Sequence, residues 1–102
     1  MKAILKSLYQ NSRNEKIKKL IFDAFNKNNN VRYFVTLNRK TPIPIIERLS
    51  KDEDYDIRVS VAKNQSTPIH ILEKLSKDKD CNVRIFIAGN LRTPIHILEK
   101  LS

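Results

Sequence analysis

The ten residues Thr67-Pro68-Ile69-His70-Ile71-Leu72-Glu73-Lys74-Leu75-Ser76 recur unchanged as residues 93–102, an offset of 26. A fixed period of this length constrains the chain more than any local propensity. Each copy must be one supersecondary unit that buries its apolar side against its neighbours. The same offset carries Thr41-Pro42 to Thr67-Pro68, Val31-Arg32 to Ile57-Arg58 and Val83-Arg84, Asn38 to Asn64 and Asn90, and Leu49 to Leu75 and Leu101. The 102 residues are therefore read as one domain, with copies at 31–56, 57–82 and 83–102 behind a divergent segment at 1–30.

Each copy holds two short helical patterns. In the second, Thr67 reads as a side-chain N-cap and Pro68 as the first helical residue, where a missing N–H costs nothing. Thr41-Pro42 and Thr93-Pro94 repeat that signal. At 100° per residue, Ile69, Ile71, Leu72 and Leu75 share one half of the helix, with His70, Glu73 and Lys74 opposite. The first pattern, Val83-Arg84-Ile85-Phe86-Ile87-Ala88, is apolar around nearly its whole circumference and fits a short helix enclosed by neighbours. A buried strand is the rival reading, since these β-branched residues suit one. Asn38, Asn64 and Asn90 follow the three first patterns, and Asn substitutes for Gly where a helix ends in a left-handed residue, which favours helices.

Before residue 31 the period fades but the order of elements persists. Ser12-Arg13-Asn14-Glu15 has the form of a capping box, and Ile17, Leu20, Ile21, Ala24 and Phe25 then follow helical spacing. A shorter apolar pattern, Ile4, Leu5, Leu8 and Tyr9, precedes it. Residues 1–30 thus read as a degenerate helix pair that caps one end, giving about eight helices in four pairs.

The run Val-Arg-x-x-Val-x-x-Asn-x-x-Thr-Pro-x-x-x-Leu/Ile-x-x-Leu, followed by an Asp-rich linker (Asp52-Glu53-Asp54, Asp78-Lys79-Asp80), resembles the leucine-rich repeat variant family over residues 31–102. The resemblance implies an all-α fold without β-sheet. Its form would be a right-handed α-solenoid of about four stacked short helix pairs in the style of HEAT and armadillo arrays, with 3₁₀ geometry open for some helices. A known member of that family carries an iron–sulfur cluster in a Cys-rich N-terminal part. The lone cysteine here is Cys81, so that feature is not carried over.

Composition narrows the function classes. Glycine occurs once, which removes Gly-rich phosphate loops and dinucleotide fingerprints. One cysteine forms no internal disulfide and supplies no thiolate cluster, and no cofactor is expected. Lys or Arg interrupts every apolar stretch within a few residues, so no membrane span is expected. The opening Met1-Lys2-Ala3-Ile4-Leu5-Lys6 lacks the form of a signal peptide, and the expected location is the cytoplasm. No nucleophile stands beside a base and paired carboxylates such as Asp52 and Asp54 fall in linkers, so no catalytic residue is assigned and a HEAT-like nucleic-acid repair enzyme is disfavoured.

Three residue sets remain as candidates. Arg32, Arg58 and Arg84 recur one per copy, each the lone charge on an apolar helix near its N-terminus, where the dipole disfavours a cation. They read as a structural ladder. Asp54 before Arg58 and Asp80 before Arg84 would supply charge-assisted hydrogen bonds, and Arg32 would take Asp54 or Asp56. A ligand-anion site on the three guanidiniums is the other reading.

The second set is a stripe repeated on successive helices: Glu47 and Arg48; His70, Glu73 and Lys74; His96, Glu99 and Lys100. A metal shared by His70 and His96 is disfavoured, because packed helices lie about 8–10 Å apart and zinc ligands sit within ~2 Å of the ion. The stripe reads either as solvated surface or as a protein-binding display.

The third set follows the charge. The whole chain carries +9, and residues 1–40 hold ten Lys or Arg against Glu15 and Asp23, leaving most of the excess there. Lys16, Lys19, Lys27, Arg39 and Lys40 are the candidate polyanion contacts, with a solvated lysine-rich face as the plainer reading. Cys81 reads as a linker or helix-start residue.

The expected function is a non-catalytic scaffold that binds a macromolecular partner, another protein first, by holding equivalent side chains in register. Nucleic acid or another polyanion is the alternative. Because the last amphipathic helix runs to Ser102 with no polar copy behind it, end-to-end self-association or a larger natural context is a further expectation.

Overall fold

The structure, a computed structural model, describes residues 3–101; the side chains of Ala3 and Ile4 are not described, so the Ile4 position of the first apolar pattern, Met1-Lys2 of the opening segment and Ser102 of the final copy lie outside it. Eight α-helices follow one another, and the described residues contain no strand and no 3₁₀ segment. They are α1 (Ala3–Asn11), α2 (Glu15–Ala24), α3 (Asn29–Leu37), α4 (Ile43–Leu49), α5 (Tyr55–Lys63), α6 (Ile69–Leu75), α7 (Cys81–Gly89) and α8 (Ile95–Leu101). The Val-Arg segments are therefore helical, and the strand reading falls. The molecule measures 43 × 23 × 21 Å.

Helices α3, α5 and α7 lie side by side, α2 packs on α3, and α4, α6 and α8 each pack on the helix before them in the chain. The core repeats at the sequence period. Val35, Val61 and Ile87 are buried at one register position, and Ile45, Ile71 and Ile97 at another. At the divergent end Leu5, Ile21 and Ala24 close the same core, with Leu8, Tyr9, Ile17, Leu20 and Phe25 partly buried against it.

Local capping differs from the sequence expectation in three ways. Ser12 does not cap α2. Asn14 does, its Oδ1 accepting from the N–H groups of Lys16 and Ile17, while Ser12 Oγ accepts from Asn14 N–H. Thr41 and Thr67 do not cap α4 and α6 either: the cap positions are Pro42 and Pro68, neither with a side-chain bond. Instead Thr41, Thr67 and Thr93 are buried, and each hydroxyl donates back to the carbonyl six residues earlier, in Val35, Val61 and Ile87, at 2.6–2.7 Å. A buried hydroxyl must find an acceptor, and the last turn of the preceding helix offers carbonyls without helical partners.

Asn38, Asn64 and Asn90 end α3, α5 and α7 in extended rather than left-handed backbone, and no described residue has positive φ. Each side-chain oxygen accepts from the N–H two residues on, and each carbonyl accepts from the Thr N–H three residues on. That doubled turn sets the reversal into the next helix. The spare amide reaches across to the preceding copy: Asn64 Nδ2 donates to Thr36 O and Asn90 Nδ2 to Ala62 O, both at 2.7 Å.

The first helices begin two residues before the Val-Arg pairs, because Asn28, Asp54 and Asp80 are their N-caps, each accepting from the N–H two residues on. Ile69 and its equivalents Ile43 and Ile95 are exposed, at the margin of the apolar arc, whereas Ile71, Leu72 and Leu75 are buried. Nor is α7 enclosed: Val83 and Ile87 are buried, but Ile85 and Phe86 are exposed.

Asn90→Ala removes a donor from a largely buried amide and strips the Ala62 carbonyl of it, so it should cost about 1–3 kcal/mol in urea unfolding. The exposed Asn82→Ala, on the same helix, should cost well under half of that.

Candidate binding surfaces

The three parallel helices are pinned at both ends. Near their N-termini Asn29 Nδ2 donates to Asp54 Oδ2 at 2.7 Å, joining α3 to the cap of α5. Beyond their C-termini the Asn64 and Asn90 amides do the same. Between these ends the outward side chains of α3, α5 and α7 line an open groove of about 710 Å³. Tyr33, Leu37, Val59 and Phe86 form its apolar floor and walls, with Tyr33 37% and Phe86 39% exposed. Asn29, Asn30, Asp54 and Asp56 line one end, and Arg39, Lys63 and Gln65 the other. Acids therefore sit at helix N-termini and bases beyond C-termini, the arrangement that the helix dipoles favour. Lys63 Nζ lies 5.1 Å from the centre of the Phe86 ring, so the basic end also stacks on an aromatic.

A second recess of about 520 Å³ lies on the linker side, lined by residues that include Phe25, Lys27, Arg32, Arg48, Asp52 and Glu53. Arg48 is half-buried there with its guanidinium 4.0 Å from the centre of the Phe25 ring, a packing contact more than a free display. Glu47 is half-buried as well. The rest of the repeated stripe, His70, Glu73, Lys74, His96, Glu99 and Lys100, is exposed on α6 and α8. Among the described residues no three of His, Cys, Asp and Glu come close enough to hold a metal ion.

The arginines are tied to linkers, though not to the acids that the sequence suggested. Arg32 Nε and Nη2 donate to Asp52 at 2.8 and 3.1 Å, and Arg58 donates in the same way to Asp78 at 2.9 and 3.3 Å. Both carboxylates lie twenty residues after their arginine. Arg32 Nη1 also donates to the Asn26 and Lys27 carbonyls, and Arg58 Nη1 to those of Asp52 and Glu53. Asp54 and Asp80 are occupied as helix caps, which is why they are not the partners. The Asp52 hydrogen bond and charge raise the Arg32 pKa against the opposing effect of burial. Arg84 donates through Nη1 to Asp78 O at 2.5 Å.

The basic set is dispersed. Lys16, Lys19, Lys27, Arg39 and Lys40 are all exposed, but Lys19 pairs with Asp23 at 2.9 Å, Lys27 lines the linker-side recess, and Arg39 lines the groove. Cys81 is the exposed first residue of α7. Sequence reasoning missed the groove itself; the available signal was the surplus of apolar residues around Val83–Ala88, more than one buried face needs. No described helix is long and apolar enough to cross a membrane. Compared with models of known families, with characterised proteins and with solved structures, the chain matches none.

Asp54 carries a pH signature. Its carboxyl is held below the ordinary range, first by the Asn29 amide and next by the Asp56 N–H, with the Arg32 and Arg58 charges adding and burial opposing. A native pKa below the unfolded value, about 3.9, makes the ionised form stabilising above that value. The contribution shrinks as pH falls below it and is gone once pH has passed the native value. Asp54→Asn keeps an oxygen for the cap but does not titrate. The stability gap between wild type and variant, from urea unfolding, should be full above about pH 5 and close on acidification.

Proposed function

We propose that this chain is a non-catalytic binding module, a right-handed α-solenoid of four short helix pairs, whose α3/α5/α7 groove docks a segment of another protein. The regular interhelix hydrogen bonds, 25 and 28 residues apart in sequence, support the stacked arrangement. They are also in keeping with the resemblance to the leucine-rich repeat variant family. The observation that carries the binding reading is the exposed aromatic and aliphatic floor set between an acidic and a basic end. Aromatic side chains that become desolvated near the centre of a protein interface are frequent binding hot spots, and flanking charges fix orientation. A partner segment would lay apolar side chains over Tyr33 and Phe86 and direct its own basic end toward Asp54 and Asp56.

This surface is favoured over the α6/α8 stripe, whose members are hydrophilic and exposed, a composition typical of an interface rim. It is favoured over polyanion binding because the five basic candidates are distributed over separate surfaces. The cytoplasm remains the proposed location, in keeping with the single cysteine.

The test is affinity capture from the native cell with wild type, Tyr33→Ser/Phe86→Ser and Glu73→Ala/Lys74→Ala. Loss of two aromatic anchors should weaken a docked protein about tenfold to a hundredfold, while the stripe variant should recover it as wild type does. Equal recovery by the groove variant overturns the reading. Binding instead to DNA or RNA, falling steeply between low and moderate salt and abolished by Lys16→Ala/Lys19→Ala/Arg39→Ala/Lys40→Ala, would replace it.

A further inference from the structure

The chain reversals that follow α3, α5 and α7 form one row. Asn64 Nδ2 reaches the Thr36 carbonyl, Asn90 Nδ2 reaches the Ala62 carbonyl, and Arg92 Nη1 donates to the Gln65 and Thr67 carbonyls at 2.6 and 3.0 Å, so the later reversals are each bonded to the copy before them. The edge of the molecule that they make differs in charge from the opposite, linker edge. Residues 31–46, 57–72 and 83–98 contain no Asp or Glu; every acid of the three copies falls at 47–56, 73–80 or 99. The cations Arg39, Lys40, Lys63 and Arg92 are all exposed along the acid-free edge. Because successive helices alternate in direction, the 12–14 reversal of the divergent segment falls at the same edge, where Arg13 and Lys16 outnumber Glu15.

The same edge carries a row of aliphatic tips. Ile43, Ile69 and Ile95 are the first residues of α4, α6 and α8, and Ile43 and Ile69 are 52% and 46% exposed. These two lie in copies with a neighbour on either side, so stacking does not cover the position. One exposed Ile is ordinary on a protein surface; the same one in every copy, set just after a reversal that holds cations and no acid, makes the whole edge amphipathic. We propose that this edge rests on an anionic lipid surface, the isoleucines entering the headgroup region and the cations meeting lipid phosphates and carboxylates, with no helix crossing the bilayer. Charge complementarity selects an anionic occupant. The aliphatic tips select lipid within that class. A nucleic acid would call for aromatic stacking platforms, which isoleucine does not offer. A protein would call for a pocket at the anchor, and neither recess is lined by Lys40, Ile43, Ile69, Arg92 or Ile95. The edge adjoins the basic end of the α3/α5/α7 groove but does not depend on a segment docking there.

The test is flotation of the full chain with increasing amounts of vesicles, made of phosphatidylcholine alone or with about one-third phosphatidylserine, at physiological salt. The anionic vesicles should bind about tenfold more tightly or better. Net charge alone would give that preference, so three double variants locate the contact. Ile43→Ser/Ile69→Ser, which leaves the charge unchanged, should weaken binding to anionic vesicles about tenfold. Arg39→Gln/Lys40→Gln should weaken it by a similar factor, whereas Lys51→Gln/Lys77→Gln, an equal loss of charge on the linker edge, should stay within about twofold of wild type. All six residues are exposed, and urea unfolding checks that each variant is folded. Tyr33→Ser/Phe86→Ser, in the groove, should bind vesicles as wild type does. Absence of binding to anionic vesicles, wild-type binding by the isoleucine variant, or equal losses from the two edges overturns the proposal. DNA binding at the same salt that Ile43→Ser/Ile69→Ser leaves intact, in place of vesicle binding, would assign the cations to nucleic acid and overturn it too.

Discussion

A guanidinium that grips the linker behind it and the linker ahead of it holds the successive copies together. Asp52 receives Arg32 on its carboxylate and Arg58 on its carbonyl; Asp78 receives Arg58 on its carboxylate and Arg84 on its carbonyl. One unbroken relay therefore runs from Arg32 to Arg84. Burying charges in this way is tolerable only because every partner is met. Arg32 and Arg58 use Nε, Nη1 and Nη2, and the side chains of each ion pair are only 8–12% exposed. Such pairs add little net stability against a well-packed apolar alternative, but a copy shifted out of register would strand a buried charge. The relay thus acts on register more than on stability.

Register is set a second time at the other end of the same helices. The arginine relay lies near the N-termini of α3, α5 and α7, and the asparagine bonds from Asn64 to Thr36 and from Asn90 to Ala62 lie past their C-termini. About 12 Å of helix separates the two. Two fixed points on each rod remove both sliding and splaying, so the side chains between them face the groove at set spacings without needing contacts of their own. This is how Tyr33 and Phe86 stay exposed on helices whose other sides are tightly packed.

The period, the helix pairs and the repeated core were legible in the sequence because they depend on which residues are apolar and how often they return. What was not legible depends on competition between near and distant partners. Thr67 next to a proline looks like a cap for the helix that follows, yet its hydroxyl is buried against the end of the helix before it. Asn90 after an apolar run looks like a left-handed stop, but a turn with extended backbone leaves its amide free to reach Ala62. Asp54 stands four residues before Arg58, but its oxygens are taken by Asp56 N–H and Asn29, so the arginine turns to the next linker. For Asn90, Asp54 and Arg58 a residue 20–28 positions away decides the outcome, a distance that a local motif does not span, and for Thr67 it is a carbonyl six residues back across a chain reversal. The groove was hidden for a related reason: apolar residues on α7 looked like core because nothing in their type separates Val83, which is buried, from Ile85, which is not.

Comparison of the copies with one another gives the groove its physical logic. Positions that face inward hardly vary: Val35, Val61 and Ile87, or Ile45, Ile71 and Ile97. Positions on the groove side differ strongly, as Leu37, Lys63 and Gly89 do at one register and Arg39, Gln65 and Leu91 at another. A surface of identical side chains at even spacing offers a partner several equivalent placements, and the repeated His, Glu and Lys of α6 and α8 are of that kind. A surface whose copies differ offers one: a shift back by one copy would set groups that fit Phe86 against Ser60, and a shift forward would set groups that fit Gln65 against Leu91. Departure from the repeat, held on a frame that keeps the repeat, leaves the groove with no two equivalent placements along it.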